Sequence, residues 1–178
     1  MSKKPFPLSK IYRLLESGPV VLVTTAREGR ANVMPLAWHT LIDFDPPLVG
    51  IVLGEQNYSF ATLKTTRECV LNIPTAEIGQ KAIACGECSG RKTDKFEKFN
   101  LTPVPATKVR APLVKECYAS IECRVADARM AKKYNLFILE ALQAWTDPAV
   151  RAPKTLHHLG GDLFMVAGRR IHLRTKAK

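Results

Sequence analysis

No apolar run in this 178-residue sequence approaches the ~20 residues that a membrane-crossing helix needs. The opening MSKKPFPLS carries charge but no hydrophobic segment, so no secretory signal is expected. Together these absences predict a cytoplasmic protein with no membrane partner. Internal repeats, low-complexity stretches and linkers are missing too, and one domain over residues 1–178 is expected. A disulfide framework is not expected either: the five cysteines lie in a chain expected to meet a reducing compartment. Acidic residues are short: 16 Asp and Glu stand against 27 Lys and Arg, a net charge of +11. That excess suits nucleic acid, an acidic surface or a phosphate-bearing small ligand. There is neither an RNA-recognition signature nor a zinc-finger spacing, and the basic tail GRRIHLRTKAK reads as a solvated end, so no nucleic-acid partner is expected. Ser-His-Asp arrangements and paired carboxylates are absent as well, which leaves no candidate for catalysis by a protein nucleophile or acid–base pair.

What is present is enough apolar content, 46%, to build a core, and one informative stretch at residues 32–53. It opens with Asn32 and an apolar run, then sets Trp38, His39 and Thr40 side by side. It stops at Asp43-Phe44-Asp45-Pro46-Pro47 and resumes at residues 48–53 with β-branched residues. The two prolines lack N–H donors and mark a turn or the start of a strand. Two strands with a polar, aromatic patch at the end of the first form a shelf for a flat ligand. The competing reading puts Trp38 in the core and makes His39 a turn residue.

In chain order, Ser9 caps a short helix carrying Ile11, Leu14 and Leu15. Residues 20–25 form a strand, and Arg27-Glu28-Gly29-Arg30 a turn. Ser59 is placed as the N-cap of a helix reaching about Arg67, residues 69–73 as a strand, and residues 76–84 as a helix. Residues 89–96 form a basic loop entering a short helix, and residues 102–113, with Pro103, Pro105 and Pro112, an irregular extended segment. Residues 118–125 alternate, with Ala119, Ile121, Cys123 and Val125 inward and Tyr118, Ser120, Glu122 and Arg124 outward. Residues 136–145 have helical composition in a position that suits a hairpin strand. Five or six strands with two or three short helices predict a mainly β fold, a barrel with helical excursions. Cys85-Gly86-Glu87-Cys88 is open to a structural reading and to a redox or metal one, whereas the adjacent His157 and His158 would point apart in a strand.

The segments PVVLVTT, GRANVMPLAW, DPPLVGIVL, SFATLKTTRECVLNIP and CGECSGRKTDKF, in this order and spacing, resemble the flavin reductase-like, FMN-binding split-barrel family, nearest to its flavoredoxins. The resemblance runs from about Pro19 to about Val166. It implies a Greek-key split β-barrel, a homodimer, non-covalent FMN, and electron transfer linked to NAD(P)H or a redox-protein partner. It also tilts residues 136–145 toward strand. Position by position, it places Asn32, Leu36, Ala37 and Trp38 against the isoalloxazine and ribityl chain, and Asn57 and Ser59 at the phosphate. Arg91 and Lys95 fall in a basic phosphate loop, and Phe164 in the closing segment. Where related sequences often have a histidine, this chain has Tyr134 before Asn135-Leu136-Phe137, and tyrosine does not become a cation near neutral pH.

The residues themselves support this in part. FMN needs an apolar or aromatic shelf for its ring and cations with hydroxyls for its phosphate, and Trp38, Ser59, Arg91 and Lys95 are of those types. The hydride chemistry belongs to the flavin, so the missing catalytic constellations are not needed. An NAD(P)H-dependent flavin reductase, a non-enzymatic flavoredoxin-like carrier, and a split barrel for another planar ligand such as haem all remain open.

Overall fold

The computed structural model describes residues 18–173. The helix expected at Ile11, Leu14 and Leu15 and the end of the basic tail lie outside the described residues. Seven strands form one sheet: β1 (Val21–Arg27), β2 (Arg30–Leu36), β3 (His39–Phe44), β4 (Pro47–Val52), β5 (Glu68–Ile73), β8 (Ala119–Asp127) and β9 (Leu136–Thr146). Their order is β2-β1-β5-β8-β9-β4-β3, and every pairing is antiparallel. Two short ribbons lie beside it, β6 (Pro103–Val104) with β7 (Leu113–Val114), and β10 (Leu156–Gly160) with β11 (Leu163–Val166). The helices are α1 (Tyr58–Thr66), α2 (Gly79–Ala84), α3 (Lys95–Lys98) and α4 (Ala131–Tyr134), with a 3-10 turn at Ala76–Ile78.

The mainly β, Greek-key architecture is as expected, but the strand count is not. The apolar run after Asn32 is two strands, β2 and β3, which sit at opposite edges of the seven-stranded sheet. Only Ala37 and Trp38 separate them. Three Cα steps reach about 11 Å, whereas seven strands laid flat would set their edges about 29 Å apart. The sheet must therefore curl until its edges meet, without β2 and β3 pairing. One side-chain contact crosses this closure: His39 Nε2, at the start of β3, lies 2.7 Å from Pro19 O, just before β1.

One apolar cluster fills the curl, drawing Val21, Leu36, Ile51, Leu71, Val125 and Phe137 from six strands and Leu63 from α1. A second, with Leu22, Val33, Ala82, Cys85 and Phe96, packs α2 and α3 against the outer face of β1 and β2. Burial on both faces explains why the start of β1 is apolar without alternation. At the β1–β2 turn, Glu28 and Gly29 both take positive φ, 53° and 75°, as a tight two-residue hairpin requires.

Three local expectations are corrected. Ser59 is not the N-cap of α1: Asn57 holds that place in extended conformation, and Ser59 is already inside the helix. Residues 76–84 divide into the 3-10 turn and α2. The alternation in β8 does not separate core from solvent, because Ser120 and Glu122 are buried. The proline-rich 102–113 segment covers that face, where Val109 and Ala111 pack on Val70. Residues 136–145 lie in β9, overriding helical propensity through pairing with β8 and β4.

Polar groups on the covered face are satisfied by one another. Asn72 donates to Leu22 O at 3.0 Å and accepts from Val114 N at 2.9 Å and Ser120 Oγ at 2.7 Å. Glu122 accepts from Trp145 Nε1 at 2.7 Å, from Thr107 N and Oγ1, and from Lys108 N. Burial alone would raise its pKa, but the bonds from Trp145, Lys108 and Thr107 outweigh it and hold the carboxyl below its usual value. The stability this confers is fully present above the unfolded-chain value of about 4.3 and is lost as pH falls through the lower folded value. Glu122→Gln sets an amide N–H₂ against N–H donors, and at pH 7 should cost about 2–3 kcal/mol. Urea unfolding at a series of pH values should show that cost shrinking as the parent's carboxyl protonates. A cost independent of pH would contradict this account.

Candidate functional site

A cleft runs along β2. Its apolar end is a cavity of about 320 Å³ walled by Val20, Pro35, Leu36, Ala37, Ile83 and Phe164 together with His158. Its polar end, about 250 Å³, is walled by Asn32, Met34, Gln56, Asn57, Cys88, Gly90 and Lys95, among others. Gly86 and Glu87 belong to both walls, so the two cavities are neighbours. The β10–β11 ribbon closes over the apolar end. It is held there by Val20 N–H donating to Leu156 O at 2.7 Å and Ala76 N–H donating to Lys154 O at 2.8 Å. The Phe164 ring stacks at a tilt on His158, 5.0 Å between centroids.

At the polar end Asn32 is 3% exposed, and its Nδ2 donates to Ser59 Oγ at 2.8 Å. Its Oδ1 is buried without a hydrogen-bond partner. An unpaired buried acceptor costs free energy that a donor from a ligand would recover. Ser59, fully buried, also receives Thr25 Oγ1 at 3.3 Å. Ser59 is thus a support beneath Asn32, not itself part of the cavity wall. Gly90 closes the cavity from the other side.

Lys95 is 4% exposed, and its Nζ donates to Cys85 O at 2.6 Å. Burial pushes its pKa below the usual lysine value, while nearby Cys88 and Cys85 act the other way. The adjacent carboxylate of Asp94 is used elsewhere: it caps α3, accepting from Phe96 N at 2.9 Å and Glu97 N at 3.2 Å. Lys95 is in none of the ion pairs among the described residues. A buried cation on a cavity wall, bonded to a carbonyl alone, favours an anion in that cavity.

Of the sequence-expected residues, Asn32, Asn57 and Lys95 meet at the polar end and Leu36, Ala37 and Phe164 at the apolar end. Arg91 is exposed beside Gly90, with Nη1 3.4 Å from Gln56 O. Trp38 does not fill the core: it is 55% exposed, and it lines neither cavity. Tyr134 is 56% exposed at the end of α4 and lines neither cavity within its own chain. Residues not anticipated include Pro35, Ile83 and His158. The first two are ordinary apolar positions in sequence, and the His157-His158 pair carries no local signal of a ring contact with Phe164. Among the described residues no group of three or more His, Cys, Asp or Glu is placed to hold a metal. Cys85 is buried, and burial foremost raises its thiol to about 11, so it is protonated at neutral pH and a poor exchange nucleophile.

Comparison with known proteins places the chain by family and fold. A family model described as "Flavin reductase like domain" matches residues 13–167. An uncharacterized protein, YddH, of Escherichia coli K12 is 32% identical over 181 residues, covering 94% of this chain and 96% of its own. The FMN-binding domain of a flavin reductases-like enzyme from Shewanella baltica superposes with a TM-score of 0.83 at 28% identity, covering 95% of this chain and 96% of that one. The flavoredoxin of Desulfovibrio vulgaris superposes with a TM-score of 0.86 at 24% identity, covering 99% of each chain. The shared fold is the split β-barrel.

A Cβ added to Gly90 would stand 2.0 Å from Asn32 Oδ1 and 3.0 Å from the Tyr58 ring. Asn32 cannot retreat without leaving Ser59. Gly90→Ala should therefore cost about 1–3 kcal/mol and lower the melting temperature by several degrees. Gly168→Ala, where the added carbon meets nothing within 4 Å, serves as the control. Equal melting of both variants would show that the Gly90 loop yields freely.

Proposed function

The chain belongs to the flavin reductase-like family, and on that premise we propose that it holds FMN non-covalently in the cleft along β2 and works as an NAD(P)H-dependent flavin reductase. The observation that carries this reading is the continuity of an apolar cavity with one containing a buried, unpaired-by-carboxylate Lys95. FMN has that same division, a flat ring system at one end and a phosphate of about −1.5 to −2 charge at the other.

The residues fit the group. Leu36, Ala37 and Phe164 supply an apolar wall that excludes water from the ring. Asn32 Oδ1, an acceptor lacking a donor, matches a hydroxyl of the ribityl chain, with Ser59 fixing the amide's orientation. Lys95 and Arg91 would neutralise the phosphate, aided by Asn57 at the start of α1, whose first turn carries no acidic residue. When bound, FMN supplies the hydride and one-electron chemistry. The protein's part is to bind, orient and shield, so no side chain need act as nucleophile.

A second reading makes the protein a flavoredoxin-like carrier handing electrons to a redox-protein partner. Its support is the net charge of +11, which would steer an acidic partner. Rapid NAD(P)H oxidation with free FMN as acceptor would favour the reductase, and reduction of bound FMN only by a partner protein the carrier. The purified protein should be yellow with one FMN per chain. A protein left colourless by excess FMN, or one showing a haem spectrum, would defeat both readings. No helix among the described residues is long and apolar enough to cross a membrane.

The reading includes a homodimer. β3 is an edge strand that exposes Leu41, Ile42 and Phe44, and β11 exposes Leu163, Met165 and Val166. Edge and apolar surface of this kind are suited to a second copy. Tyr134 would then meet a flavin only from across the interface. Sedimentation at micromolar concentration should show a dimer, and a monomer with FMN bound would count against it.

Lys95→Ala should weaken FMN binding by about ten- to a hundredfold, the loss of one charge-assisted bond, and leave riboflavin binding unchanged. In the parent, FMN affinity should fall as pH rises through the depressed Lys95 pKa, and riboflavin affinity should not. Titration of both flavins by fluorescence quenching checks this. An equal loss for both would assign Lys95 to the fold.

A further inference from the structure

The segment Cys85-Gly86-Glu87-Cys88 ends α2 and, from Gly86 onward, walls the polar end of the cleft. Its two thiols are in different settings. Cys85, like Cys69, Cys117 and Cys123, is buried. Burial foremost raises the thiols of Cys85 and Cys117. That of Cys69 is raised first by its hydrogen bond with Cys123, its partner across β5 and β8, and then by burial. Cys88 alone among the five cysteines is half-buried, and it lines the polar cavity of about 250 Å³.

Two further groups on the same wall point to an occupant. Asn32 is 3% exposed, and its Oδ1 has no hydrogen-bond partner. Lys95 is 4% exposed, and Cys88 acts to raise its pKa against burial, so the ammonium and the sulfur are close enough to interact. The carboxylate on this wall, Glu87, is exposed to solvent. Thiol–disulfide exchange places negative charge on sulfur, and a neighbouring cation favours that charge. Lys95 also draws in a reagent that is itself anionic. The same lysine acts on Cys85, but there burial outweighs it.

We infer that Cys88 is a modification site, which forms a mixed disulfide with an anionic low-molecular-weight disulfide and in that state closes the cavity to FMN. The closure rests on the flavin-binding reading of the cleft. In the exchange the Cys88 thiolate attacks one sulfur of the incoming disulfide. The new Sγ–S bond forms as the old S–S bond breaks. The leaving thiolate takes the electron pair and then a proton, matching the one that Cys88 released. Cys88 is oxidised, the departing thiol is reduced, and excess thiol reverses the step. The adduct occupies the cavity that the phosphate of FMN needs, and its anion takes the place of that phosphate at Lys95. Flavin occupancy is thereby tied to the thiol–disulfide balance around the protein, and bound FMN in turn shields Cys88.

The test treats apoprotein with glutathione disulfide, which is anionic, or with cystamine, a cationic disulfide, and locates adducts by peptide mass spectrometry. Relative to free cysteine, Cys88 should react about five- to tenfold faster with glutathione disulfide than with cystamine, as a neighbouring cation dictates. Lys95→Ala should lose that preference, high salt should narrow it, and saturating FMN should slow both reactions. FMN titration by fluorescence quenching should show binding weakened about tenfold or more in the glutathione adduct and restored by dithiothreitol. In Cys88→Ser the same treatment should leave FMN affinity where it was before treatment. Thermal melting checks that the adduct is folded. An adduct on Cys88 that leaves FMN affinity unchanged would overturn the inference while leaving the FMN reading intact. So would an unreactive Cys88, a Cys85–Cys88 disulfide in place of the adduct, or an adduct that unfolds the chain. Failure of FMN to bind the reduced parent would overturn the flavin reading and the closure together.

Discussion

Two residues join the opposite edges of a seven-stranded sheet, and most of the architecture depends on that link. Ala37 and Trp38 cannot span a flat sheet, so the sheet curls and its concave face becomes a closed core. The closure is by proximity and not by a ladder, which leaves the barrel split between β2 and β3. Since β2 is an edge of the sheet, its outer face and free margin stay available for other segments to pack against. The helices after β5 and the β10–β11 ribbon do so, and the cleft is the space they leave along β2.

The polar interior is arranged around carboxylate and amide groups that take their partners from remote backbone. Glu122 holds the proline-rich 102–113 segment onto the sheet by accepting its N–H groups, and Asn72 accepts the N–H of Val114 just beyond it. No cation is needed for Glu122, because several N–H donors together favour the charged form despite burial. The cleft shows the opposite condition. There Asn32 keeps an acceptor without a donor and Lys95 a cation without a carboxylate. Among the described residues Asn32 Oδ1 is the buried side-chain polar atom left without a partner, and Lys95, bonded to a carbonyl, stands on the wall of the same cavity.

Glycine, not chemistry, sets the shape of the polar end. Gly90 brings the loop's backbone against Asn32 more closely than any side chain allows. The same loop carries Arg91 outward and, five residues after Gly90, returns Lys95 to the interior through the short helix that Asp94 caps. One segment thus contributes both a solvent-facing cation and a buried one, and they differ in what they can discriminate. The buried cation has one position and one pKa, whereas the exposed one is screened and adaptable.

Strand character was legible wherever β-branched residues crowd, as in β1, β4 and β5, because that composition suits a pleated buried surface. The turn at Glu28-Gly29 was legible from its glycine, and the basic loop from its charge. The order of short segments along the chain was enough to indicate the family. What composition could not show was which faces are covered. Ser120 and Glu122 alternate as solvent-facing residues do, yet the 102–113 segment buries them, and nothing local in β8 records that contact. Ser59 has the chemistry of a cap, and only the path of the chain through Asn57 makes it a support for Asn32 instead. Trp38 has the chemistry of a core residue and lies in the open link. Local pattern determines the period, the turns and the kinds of group available. Which of those groups meet in one cleft depends on contacts between segments distant in sequence, and only the tertiary structure decides them.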